Sequence, residues 1–177
     1  MEFRKFMKKL GFSNKDIIKI ENFYDNDIDS LLLCHIIQNY DYFVAKKYDI
    51  SLITDIMSSS PEVCHMSVEE LENKENFLLN NGYTEEEINS IINLFPEFYK
   101  YPSSILNVKF MFLENEGYTK EEIHDIVCKS PRILEVSLET IGFSLDYLEF
   151  AGYSEKKIKK MTIKRPRFLN MHHLIVK

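Results

Sequence analysis

The residues best suited to chemistry in this chain are cations gathered near one end. Lys156, Lys157, Lys159, Lys160 and Lys164 fall close together, and Arg165 and Arg167 flank Pro166. Lys129 and Arg132 stand 35 residues before Lys164 and Arg167. Lysine attracts phosphate without regard to base sequence, and arginine grips it with paired donors. On a helical wheel Ile158, Met161 and Thr162 share the inward face, and the lysines lie opposite. The expectation is a phosphate-contacting patch that meets nucleic acid. The alternatives are a solvated helix face, or a basic cap that pairs with an acidic partner or with the chain's own acidic middle.

Other candidate residues point to less. Glu86, Glu87, Glu121 and Glu122 form an acidic surface. It reads as a solvating exterior favoured by the helix dipole, or as a site for a basic protein, or as a mimic of nucleic acid. Cys34-His35 and Cys64-His65 lack the spacing of a metal motif, so no metal and no cofactor is expected. His172-His173 reads as a surface pair near the chain end. His124 matches Asn89 and Lys159 in register and is expected to be exposed, not catalytic. Tyr83, Tyr118 and Tyr153 could stack bases, but their regular placement favours packing between units. No Ser-His-Asp or Cys-His arrangement emerges from spacing, so no enzyme is expected.

Charge is laid out unevenly. The net formal charge of −6 argues against a nucleic-acid binder only as an average. Residues 1–20 carry net +4, residues 21–154 net −17 and residues 155–177 net +7. With 45% hydrophobic and 28% charged residues the composition is that of a globular chain. No apolar run reaches the roughly 18 residues of a membrane span. Glycine-rich phosphate loops are excluded, since neither G-x-G-x-x-G nor G-x-x-x-x-G-K-[ST] occurs. Three widely separated cysteines read as free thiols. The first 20 residues lack a signal-like apolar core and hold one Arg and one Ser, so the cytoplasm is expected.

The elements that must position these residues are set by an internal repeat. Pro61, Pro96, Pro131 and Pro166 are 35 residues apart. Gly82, Gly117 and Gly152 keep the same step, each followed by Tyr and then Thr84, Thr119 or Ser154. Ile88, Ile123 and Ile158 match, as do Leu78, Leu113 and Leu148. Each unit reads as a first helix, spanning about 67–81 in the clearest copy, and a glycine C-cap. A second helix follows, opened by a Thr/Glu capping box, then a short turn after proline. Ser67, Pro102 and Ser137 would begin the first helices. The segment from Tyr48 to Pro61 aligns with Tyr118 to Pro131, with Lys47 replacing glycine.

These units resemble the repeats of the mitochondrial transcription termination factor (mTERF) family. The resemblance rests on "LENKENFLLNNGYTEEEINSIINLFPEF", "LNVKFMFLENEGYTKEEIHDIVCKSPRIL" and "IGFSLDYLEFAGYSEKKIKKMTIKRPRFL". It implies an all-α superhelical solenoid that binds nucleic acid, usually double-stranded DNA or RNA, in the gene expression of mitochondria or plastids; the expected role is a non-catalytic one in transcription or its regulation. The chain is short for that family and strongly acidic in its middle. The expected architecture is one array over residues 1–177, with about five repeats. Residues 1–66 are degenerate, 67–171 hold three clear copies and 172–177 begin a truncated one. A single unit cannot bury its apolar faces alone, so stacking is required; oligomeric state stays open.

Overall fold

The structure, a computed structural model, describes residues 3–171, and among these it is all-helical. The described residues form two compact units, one of residues up to 76 with 96–100, the other of residues 77–95 with those from 101 onward. The first contains α1 (Phe3–Lys9), α2 (Asn14–Phe23), α3 (Ser30–Ala45) and α4 (Ile50–Ser59). It also holds most of α5 (Val68–Asn80) and two 3₁₀ turns, η1 (Pro61–His65) and η2 (Pro96–Lys100). The second contains α6 (Glu85–Leu94), α7 (Ser103–Asn115), α8 (Lys120–Lys129), α9 (Leu138–Phe150) and α10 (Glu155–Lys164). Its 3₁₀ turns are η3 (Pro131–Leu134) and η4 (Pro166–Leu169). The expected truncated helix and His172-His173 lie outside the described residues.

Local chemistry fixes each boundary. Ser13, Thr84 and Thr119 close capping boxes with Asp16, Glu87 and Glu122. Ser67 and Ser137 accept from the amides of Glu70 and Thr140, while Pro102 caps α7 without a side-chain bond. Before the prolines, Ser60, Phe95, Ser130 and Arg165 share one non-helical geometry, with φ −134°, −144°, −150° and −141° and ψ 72°, 72°, 76° and 82°. Proline Cδ disfavours helical geometry in the residue before it, so the helix stops there. Gly82 supplies the left-handed C-cap at φ +89°. Lys47 takes the same role at φ +64°, a conformation that strains an L-residue.

Within the first unit α2 packs on α4, and α4 on η1 and η2. Ile20, Ile36, Phe43, Ile53 and Ile56 are among its fully buried residues, and Tyr99 donates to the Glu75 carboxylate, which also pairs with Lys46. Within the second unit α6 packs on α8, α8 on α10, and η3 on η4. The second helices thus stack in register, sealed by Ile91, Ile92, Ile126 and Val127. The Tyr118 hydroxyl meets Thr162 Oγ1 at 2.7 Å, which fixes α10 against the start of α8.

One repeat position is polar although buried: Asn39, Lys74, Lys109 and Ser144. Asn39 donates to the carbonyls of Val63 and Met66 at 2.7 and 2.9 Å. Lys109 donates to those of Leu134 and Val136 at 2.5 and 2.6 Å. Ser144 Oγ accepts from the Met171 amide at 2.9 Å. Asn39, Lys109 and Ser144 thus each meet the backbone in or just beyond the 3₁₀ turn that follows. Burial, partly offset by Glu135, lowers the Lys109 pKa from its ordinary value to about 8.

Lys47→Gly removes left-handed strain and raises the unfolding free energy by about 0.5–1 kcal/mol in urea titrations, whereas Gly82→Ala lowers it by about 1 kcal/mol. Between pH 8 and the ordinary lysine range the unfolded chain binds the proton that folded Lys109 has lost, so stability rises with pH there. Lys109→Met reduces that rise and, by orphaning two carbonyls, lowers stability by about 3 kcal/mol. Above pH 10 the buried tyrosines, Tyr99 foremost, resist ionisation in the fold, and stability falls again.

Candidate nucleic-acid interface

The second helices carry the surface charge. Glu86 of α6, Glu121 of α8 and Lys156 of α10 occupy one register position, and all three are exposed. One position on, Glu87 and Glu122 turn back to accept the Thr84 and Thr119 amides, each at 2.9 Å. Lys157 replaces them in α10, and Ser154 makes no side-chain cap bond there. Its ammonium lies 4.8 Å from the Tyr153 ring centre instead. The charge change toward α10 is thus accompanied by loss of a capping box. Of the four acidic residues proposed as a protein-binding surface, Glu86 and Glu121 project fully, while Glu87 and Glu122 are partly buried in caps.

Most of the basic residues converge. Lys129, Lys156, Lys159, Lys160 and Lys164 line an open groove of about 480 Å³ formed by α8 and α10, together with Glu122 and Ile163. Lys129, Arg165 and Arg167 border an adjoining notch of about 470 Å³ beside Pro166. Lys129 belongs to both and is steadied by Asp125 at 2.9 Å and by the Ile163 carbonyl at 3.3 Å. Lys159 is less available than the wheel suggests: it is partly buried, pairs with Glu155 at 2.9 Å and lies close over Gly117. Lys156, Lys160, Lys164, Arg165 and Arg167 are exposed and enter no ion pair among the described residues. Lys157 and Arg132 border neither depression; Arg132 lies 5.4 Å from the Phe95 ring centre and 3.6 Å from Glu135.

The tyrosines divide. Tyr83 and Tyr118 are buried and so cannot stack on bases, whereas Tyr153 is half-buried. His124 is not the exposed side chain expected from its register. Its ring stacks on Tyr83 with centroids 4.4 Å apart, and Nε2 is 3.1 Å from Glu87 Oε2. Cys128 Sγ is 4.0 Å from His124 Nδ1. Glu87, His124 and Cys128 therefore offer one donor atom each within 4.8 Å, a set that could hold a metal. The sequence spacing concealed it, because Glu87 comes from the preceding repeat. Chiefly the Thr84 amide holds the Glu87 carboxyl below its ordinary range.

This trio is no activated thiol. Burial first, and then the charge of Glu87, pushes the Cys128 thiol up to about 11, and burial raises Cys64 further still. Cys34 alone of the three cysteines is exposed. A native thiol titration with a disulfide reagent at neutral pH is expected to show one fast thiol per chain, abolished in Cys34→Ser.

No helix among the described residues is long and apolar enough to cross a membrane. Comparison with curated proteins finds no match. The sequence model of the mTERF family matches residues 3–177, essentially the whole chain. Members of that family are generally nucleic-acid-binding, transcription-related and non-enzymatic helical-repeat proteins, and are usually organellar. With its proline-ended helix pairs, left-handed glycine caps and stacked second helices matched along nearly its full length, the chain belongs to the mTERF family.

Proposed function

We propose that this chain binds double-stranded DNA or RNA through the basic surface of α8, α10 and η4, and that it acts without catalysis in transcription or its regulation. The carrying observation is the groove and notch where Lys129, Lys156, Lys160, Lys164, Arg165 and Arg167 gather without a matching set of carboxylates. The lysines attract the phosphate backbone, and Arg165 and Arg167 offer paired donors to single phosphates. Such contacts set position and affinity while carrying no sequence information. Lys159 lines the groove while paired with Glu155, and Lys157 of α10 and Arg132 of η3 add to the field.

The phosphate mechanism has a measurable signature. If about six phosphates are neutralised, log affinity falls against log salt with a slope on the order of −5. Binding to mixed-sequence duplexes is expected at about 50 mM salt and is lost progressively toward about 200 mM. Reversing Lys156, Lys160, Lys164 and Arg167 to Glu abolishes it while leaving the helical spectrum unchanged. Absence of duplex binding at low salt overturns the proposal. So does stoichiometric capture of a basic protein that is lost on reversing Glu86 and Glu121, which assigns the working surface to the acidic side.

A further inference from the structure

We propose that Glu87, His124 and Cys128 bind one divalent cation of the zinc class, clasped between α6 and α8. This site is separate from the basic surface and stands whether or not that surface meets nucleic acid. His124 and Cys128 are one helical turn apart on α8, so both side chains emerge on one face. Glu87 reaches them from the first turn of α6. Cysteine, histidine and carboxylate together form a mixed donor set suited to zinc, and three protein ligands leave a fourth position for water.

The distances favour closure around an ion. Zinc bond lengths in a tetrahedron require about 3.3 Å between oxygen and nitrogen donors and about 3.6 Å between sulfur and nitrogen. Glu87 Oε2 and His124 Nε2 are already 3.1 Å apart, and Cys128 Sγ is 4.0 Å from Nδ1. A single ion takes one ring nitrogen, so one side chain turns by a rotamer step as it binds. The outer partners are in place. The Thr84 amide orients the carboxylate at 2.9 Å, and the Tyr83 ring lies against the imidazole at an interplanar angle of 29°.

The fold does not require this donor set. In the next pair of second helices the matching residues are Glu122, Lys159 and Ile163, and α8 still packs on α10. The capping glutamate recurs there, but the histidine and cysteine do not. Their presence at one junction, half-buried and within reach of solvent, is what capping and packing leave unexplained.

The probes are Zn²⁺ and Co²⁺ added to the full chain. Equilibrium dialysis is expected to give one Zn²⁺ per chain and a raised Tm. Co²⁺ is expected to show tetrahedral d–d absorption with a thiolate-to-metal charge-transfer band. Cys128→Ser and His124→Gln are each expected to weaken Zn²⁺ by about a hundredfold or more, and Cys128→Ser removes the charge-transfer band. Glu87→Gln keeps the cap acceptor and weakens binding by about tenfold. The Co²⁺ spectrum of the unaltered chain keeps the test independent of whether the variants fold. No bound Zn²⁺ at submillimolar concentration, no thiolate band, or binding unchanged in folded Cys128→Ser and His124→Gln overturns the proposal.

Discussion

Each repeat must satisfy the backbone of a turn that proline forces on it. The proline stops the second helix and starts a 3₁₀ turn whose apolar residues, such as Val63, Ile133, Leu134 and Leu169, enter the core. That carries carbonyls and amides out of water, and a buried backbone group without a partner costs as much as a lost hydrogen bond. Asn39, Lys109 and Ser144, at one repeat position on α3, α7 and α9, supply the missing partner. Amide, ammonium and hydroxyl are chemically unlike, yet all reach the same stretch of backbone. The position therefore constrains hydrogen bonding, not residue type. The bond ties the turn, and with it the end of the second helix, to the first helix.

The stacking of second helices gives the surface its meaning. The side chains facing away from the stack do not hold the fold, so their charge is free to vary. At the first exposed position Glu86 and Glu121 give way to Lys156. At the next, the glutamate that closes a capping box gives way to Lys157, and α10 forgoes the cap. A capping interaction is worth about 1 kcal/mol, so α10 forms with less local support than α6 or α8. Burial of Ile158 and of Thr162, bonded to Tyr118, compensates from the tertiary side.

The junction of α6 and α8 uses the same scaffold differently. Glu87 serves two roles with one carboxylate, capping its own helix and meeting His124 of the next repeat. The Tyr83 ring, buried as part of the repeat core, also forms the wall against which the imidazole lies. Local helix chemistry and a contact between repeats are thus joined through two residues of the ordinary repeat pattern.

The period, the helix ends and the core are legible along the chain. Proline, left-handed glycine and the Thr/Glu box act within a few residues of where they stand, so their effect is readable along the chain. The charge change from Glu86 to Lys156 was readable too, because register aligns equivalent positions. The packing of the helices sets what lies across from each residue. It showed Lys159 drawn over Gly117, Arg132 turned to Phe95, and Lys109 buried among carbonyls instead of solvated. It also brought Glu87 to His124 and Cys128 over 37 and 41 residues. Those outcomes depend on which side chains face each other when two helices pack, and spacing along one helix carries no record of its neighbour.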